Sequence, residues 1–133
     1  MTYKRFEDLP VWQAAMGLAA HVFRLTKDSA FNYQGDLRSQ LQRATLSISN
    51  NIAEGFERGT TNELLHFIYI ARGSAGETRS MLHLMERLDG FENLKSEISN
   101  LRSQAETISR QLRAWAKSLQ DSSISGQRHL TEK

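Results

Sequence analysis

Apolar residues return every three or four positions along almost the whole chain, which is the spacing of one face of an α-helix and not the alternation of a strand. The first predicted helix covers about residues 9–27, with Val11, Ala15, Leu18, Val22 and Leu25 in one stripe. Asp8 is placed to cap it, and Pro10 suits a first turn, where its missing N–H has no intrahelical partner to lose. Trp12, Met16, Ala19 and Phe23 form a second stripe about 100° round the same helix. One stripe suffices for a bundle core, so the second is expected to meet another partner. Residues 28–35 read as a loop, with Phe31 and Tyr33 expected to be pinned against the body.

A second helix is predicted over about 36–58, with the stripe Leu37, Leu41, Ala44, Ile48, Ile52 and with Gly59 as its stop. Thr60-Thr61-Asn62-Glu63 is a capping box: the Thr60 hydroxyl reaches the Glu63 N–H and the Glu63 carboxylate reaches back. The third helix, about 61–88, carries Leu64, Ile68, Ala71, Ala75, Thr78, Leu82 and Met85, large at the ends and small in the middle. Asp89-Gly90 makes the next turn. The fourth, about 91–120, carries Leu94, Ile98, Leu101, Ala105, Ile108, Leu112, Trp115 and Leu119, an unbroken 4-3 alternation of coiled-coil type. Four helices joined by short turns predict an all-α, antiparallel, up-down-up-down four-helix bundle over residues 1–120. Residues 121–133 are polar and aperiodic and are expected to form a disordered tail.

Composition narrows the function classes. A chain of 133 residues is one domain's worth, with a single core. No apolar run approaches the ~20 residues that span a bilayer. The start, MTYKRFEDLP, lacks the apolar segment of a secretory signal, so the cytoplasm is the expected compartment. The absence of Cys removes disulfides, a thiol nucleophile and a thiolate metal site. A formal net charge of +2 leans weakly towards acidic partners.

The second helix raises a sharper question. Gln40, Ser47, Asn51, Glu54 and Arg58 fall in one narrow stripe about 90° from its apolar stripe. Side chains there belong at a seam between helices or between subunits. The third helix offers a complement in Gly73, Ser74 and Glu77, within the small-residue run "ARGSAGE". Gly73 and Gly76 each cost roughly 1 kcal/mol against Ala in a helix interior, and close packing is the expected compensation. Two readings stand. In the first, the set, with Gly55, is a satisfied polar and close-packing motif that fixes register and oligomeric state. In the second, Glu54 and Glu77 form a catalytic carboxylate pair. No nucleophile with an adjacent base accompanies them, which favours the first.

On the fourth helix Lys95, Arg102, Arg110, Arg113 and Lys117 fall within an arc of about 80°. Glu92 and Glu106 share it and leave it net basic. This is either a solvated face with i,i+4 pairs such as Glu106–Arg110, or a phosphate-binding track that Lys4 and Arg5 extend. No base-reading motif or aromatic platform accompanies it, so any binding is to shape or backbone. Glu63 and His66 have the Glu-x-x-His spacing of di-iron bundles, but that chemistry needs a second such pair and two further Glu. His21 and His83 have no ligand-spaced companion, and His129 lies in the tail. No metal site and no cofactor are expected. Trp12, Met16 and Phe23, with Ile70 and Leu84 on the third helix, are surplus to one core and are candidates for a subunit interface.

"FEDLPVWQAA", "LRSQLQRATLSISNNIAEGFERGTTNE" and "FIYIARGSAGETRSML" resemble the four-helix-bundle proteins encoded in intervening sequences of bacterial 23S ribosomal RNA genes. The resemblance covers about residues 6–115, and Asn-Ile-Ala-Glu-Gly is its specific core. It implies an antiparallel four-helix bundle that assembles as a homopentamer, with no established enzymatic activity. A related group, the accessory protein of diversity-generating retroelements, binds nucleic acid and a reverse transcriptase. The family pattern carries over onto Trp12, Gln40, Ser47, Asn51, Ile52, Ala53, Glu54, Gly55, Arg58, Ala71, Gly73, Ser74 and Glu77. One departure is Ser29-Ala30-Phe31, where many relatives have a Pro. The expectation is a non-enzymatic, ring-forming bundle that associates with structured RNA or DNA through a basic surface. The alternatives are a scaffold that docks a protein partner without touching nucleic acid, and a carboxylate-bridged metalloenzyme.

Overall fold

A computed structural model describes residues 3–121 of the chain. The predicted tail lies almost wholly outside them. Four helices make up the fold: α1 (Pro10–Leu25), α2 (Gly35–Glu57), α3 (Thr61–Arg87) and α4 (Lys95–Asp121). Short 3-10 turns precede α1 at Phe6–Asp8, α2 at Ser29–Phe31 and α4 at Glu92–Leu94.

Each helix packs on the next, and α4 closes back on α1. Cross-helix contacts give the directions. Gly55 lies against Leu64 and Phe67 beside the α2–α3 connection, and Ser47 meets Ser74 further along. Glu86 pairs with Arg102 near the α3–α4 connection, and Tyr69 meets Gln120 at the far end. Arg38 and Gln42 of α2 bond to Phe31 and Thr26 beyond the end of α1, and His21 reaches Glu97 at the start of α4. Successive helices therefore run in opposite directions. The seam between α1 and α2 lies across the bundle from the seam between α3 and α4.

The stripes meet on the bundle axis. Leu18, Ile48, Ile52, Ile68, Leu82 and Leu101 are among the side chains without measurable exposure. Each such Leu or Ile contributes about 1.5–3 kcal/mol relative to an exposed position. Ala71 and Ala75 are fully buried at the middle of α3, where small residues let its neighbours approach.

Several local expectations are corrected. Asp8 does not cap α1: it closes a 3-10 turn, and Leu9 is the cap residue, with no side-chain bond. A residue before proline is pushed out of the helical region, and Leu9 is extended at φ −71° and ψ 124°. Gly59 is not the stop of α2: Arg58 leaves the helix in extended conformation, and Thr60 begins the next cap. In that cap the Thr60 Oγ1 accepts from the Glu63 N–H at 3.1 Å and donates to the Glu63 carboxylate at 3.0 Å. Phe31 is buried against Phe91 with ring centroids 5.1 Å apart, but Tyr33 is fully exposed and left-handed at φ 70°. Gly90 takes the turn into α4 at φ 102°, and its N–H donates to Glu92 Oε1.

Candidate nucleic-acid interface

The polar stripe of α2 divides into two parts. In the middle of the helix, Asn51 Nδ2 donates to the Ser47 carbonyl at 2.7 Å and to the Ser47 hydroxyl at 2.9 Å. The Ser74 hydroxyl of α3 donates to the same Ser47 oxygen at 2.8 Å, and Thr78 donates back to the Ser74 carbonyl. At the end of α2, Arg58 pairs with Glu54 at 2.9 Å and Glu63 at 3.3 Å, and its guanidinium lies 4.9 Å from the Phe67 ring centroid. Glu63 is thus engaged by Arg58 and the cap, and the His66 ring meets Phe67 edge-on. Among the described residues no three His, Cys, Asp or Glu come together where they could hold a metal ion.

Glu54 and Glu77 do not form a carboxylate pair. Glu77 lines a shallow pocket with Gln40, Arg43, Ala44 and Ser47. Glu54 is ten residues further along α2 from Ala44, ~15 Å at the helical rise. The two acids stand at different levels of one seam and cannot share a substrate atom.

The glycines separate in the same way. A Cβ on Gly55 would stand 2.9 Å from Phe67 Cβ and 3.3 Å from the Leu64 carbonyl oxygen, so α2 and α3 cross here with no room for a side chain. Gly73 and Gly76 do not compensate their helix cost by close packing within the protomer: a Cβ on either would meet nothing within 4 Å. They open instead onto the surface between α3 and α4.

That surface is basic, and the stripe on α4 is only part of it. Arg102 pairs with Glu86 at 3.2 Å, Arg110 with Glu106 at 3.7 Å and Lys117 with Asp121 at 3.4 Å. Lys95 stands exposed at the start of the helix. Arg113 faces a groove of about 330 Å³ lined by Tyr69, Arg72, Gly73, Gly76, Arg79 and Ser109. None of the three arginines in it has a carboxylate within ion-pair distance among the described residues. The Arg72 guanidinium lies 5.8 Å from the Tyr69 ring centroid. Sequence reasoning placed Arg113 but missed Arg72 and Arg79. Their signal was a spacing of seven, two helical turns, on the side of α3 that carries Gly76.

Exposed apolar side chains lie elsewhere. Met16 and Phe23 of α1 and Leu46 of α2 are 42%, 36% and 41% exposed. Helical phase puts all three along the α1–α2 seam, opposite the basic groove. Ile70 and Leu84 remain exposed on α3. Trp12 is different: it is half-buried and packs edge-on against Phe6 at 5.3 Å, so it belongs to the border of the core.

The model of the family described as 23S rRNA-intervening sequence protein matches residues 7–114. The chain belongs to that family. Among solved structures, it is similar to a protein of unknown function from the S23 ribosomal protein family of Bacteroides thetaiotaomicron. The identity is 22%, the match covers 80% of this chain and 95% of that one, and the TM-score is 0.72. At that identity the likeness concerns the fold. No curated protein matches the chain.

In this member of the family, the Asn-Ile-Ala-Glu-Gly run lies where α2 meets α3. Asn51 braces Ser47, Ile52 is wholly buried, and Ala53 is half-buried. Glu54 holds Arg58, and Gly55 admits α3. Its contacts lie on the α2–α3 seam and at the close crossing of the two helices. No helix among the described residues is long and apolar enough to cross a membrane.

Proposed function

We propose that this chain is a non-catalytic, ring-forming bundle protein of the cytoplasm that associates with structured RNA through a basic surface. The observation that carries this reading is the division of its exterior. Met16, Phe23 and Leu46 stand exposed along the α1–α2 side, Ile70 and Leu84 on α3, and arginines without acidic partners among the described residues gather on the α3–α4 side. The apolar side suits contact with further copies of the chain, because exposed apolar stripes of this kind mark protein contacts. A homopentamer, the assembly that the family resemblance implies, repeats the basic side five times and turns a modest charge into a continuous one. DNA offers the same phosphates, and a guanidinium fork binds them in either nucleic acid.

The test is fluorescence anisotropy of a labelled RNA hairpin against the purified protein over a salt series. Phosphate binding weakens steeply as salt rises, since counterions return to the nucleic acid. A second reading rests on the same apolar side chains: a scaffold that docks a protein partner and leaves nucleic acid alone. That reading gives no RNA binding even at low salt, and partner capture that salt hardly changes.

A further inference from the structure

We infer that the groove between α3 and α4 is a phosphodiester-binding site for RNA, with Arg72, Arg79 and Arg113 as the phosphate ligands and Ser109 at its floor. The inference rests on the reading of the protein as RNA-associated and names the surface that would do the work.

Three observations converge on the groove. Its three guanidinium groups face it from two helices, and none is neutralised by a carboxylate among the described residues. The four other cations that the α4 stripe suggested are less available, since Arg102, Arg110 and Lys117 have acidic neighbours and Lys95 stands apart. Ser109 is 8% exposed, and its Oγ has no hydrogen-bond partner among the described residues. A buried hydroxyl without a partner is uncommon, and this one lines the same groove as the three arginines. Gly73 and Gly76 form the α3 wall and are not required by any contact within the protomer. Without side chains they leave a recess into which a bulky anion can descend between the arginines.

The chemistry of the groove selects its ligand. A guanidinium presents a planar fork that matches two oxygens of a phosphate, and it keeps its charge at any working pH. Arg72 and Arg79 are seven residues apart, ~10.5 Å along the helix, so they address different phosphates of one strand. Tyr69 already lies beside Arg72, and no other aromatic lines the groove to stack a base. Recognition is therefore of the backbone and its path, without sequence preference.

The experiment measures binding of a fluorescein-labelled RNA hairpin to the full chain over a salt series. Four proteins are compared: the natural sequence, Arg72→Gln/Arg79→Gln/Arg113→Gln, Gly76→Leu, and the charge-matched control Arg24→Gln/Lys27→Gln/Arg43→Gln. The groove triple variant should bind at least about tenfold more weakly at low salt, and the slope of log K against log salt should fall by about two to three. Gly76→Leu fills the recess without changing charge and should weaken binding at least about threefold, while the control stays within about threefold of the natural protein. Circular dichroism confirms that each variant is folded. If the natural protein binds and the control loses as much as the groove triple, the groove assignment is overturned and RNA association stands. If the natural protein binds no RNA at low salt, both fall.

Discussion

The Ser74 hydroxyl on α3 donates to the Ser47 hydroxyl on α2 at 2.8 Å, and the same Ser47 oxygen also receives Asn51 Nδ2. One oxygen thus ties two helices and two turns of α2 together. A slip of α3 by one residue would separate the hydroxyls and leave Ser74, which is 7% exposed, without its partner. The pair is placed to act as a register pin on the α2–α3 seam. Replacing Ser74 by Ala should lower unfolding free energy by about 1 kcal/mol. Urea denaturation followed by circular dichroism measures it, and an unchanged midpoint would show that the pin carries no weight.

Gly55 and Gly76 should respond to alanine in opposite directions. At Gly55 the new Cβ meets the Phe67 Cβ and the Leu64 backbone, neither of which can move without shifting α3. Overpacking of this kind costs about 1–3 kcal/mol, more than the helix propensity gained. At Gly76 the new methyl meets nothing, so the propensity gain of roughly 0.5–1 kcal/mol should appear as added stability. Melting the two variants side by side checks the sign of each.

Tyr33 stands at φ 70° with its ring in solvent. Tyr33→Gly relieves the left-handed strain and removes no buried contact. It should stabilise the chain by about 1 kcal/mol. A fall in melting temperature would show that the loop draws something from the ring.

Thr60 closes the three-residue passage from α2 to α3 with a bond in each direction to Glu63. Thr60→Ala should cost about 1 kcal/mol and expose the first amides of α3 to faster hydrogen exchange. Protection unchanged at those amides would contradict the role given to the cap.

The apolar side makes a prediction about assembly. Met16→Asp together with Phe23→Asp places charge on the α1–α2 seam without entering the core. Sedimentation velocity should show smaller species with helical content retained. Undiminished assembly would move the contact to the other exposed pair, Ile70 and Leu84.

Helix periodicity made the architecture legible because each stripe is a local property: Leu41, Ile48 and Ile52 declare their face without knowledge of the partner helix. The capping box at Thr60 was legible for the same reason. The α3–α4 groove was not. Arg72 and Arg79 look like ordinary solvated positions until α4 is laid beside them, and the ion pairs that neutralise Arg102 and Lys117 depend on rotamers and on the acids the fold brings near. The glycines show the same limit. Gly55 and Gly76 carry the same helix penalty in the sequence, and only the crossing of α2 over α3 reveals that one is forced by contact and the other faces open space. Asp8 failed as a cap because Pro10 dictates the backbone before it, a competition between two local signals that composition cannot rank.

The closure of α4 onto α1 has a consequence for the order of folding. The α2–α3 and α3–α4 contacts join neighbours in the chain and need only short loops to close. The α4–α1 contact alone must bring the two ends of the bundle together, and it carries the largest loop-closure entropy. α1 is also the shortest of the four helices, at 16 residues. Topology therefore favours forming the seams between chain neighbours before the α4–α1 seam closes. Until that seam closes, the apolar faces that α1 and α4 present to each other are open to water and to other chains.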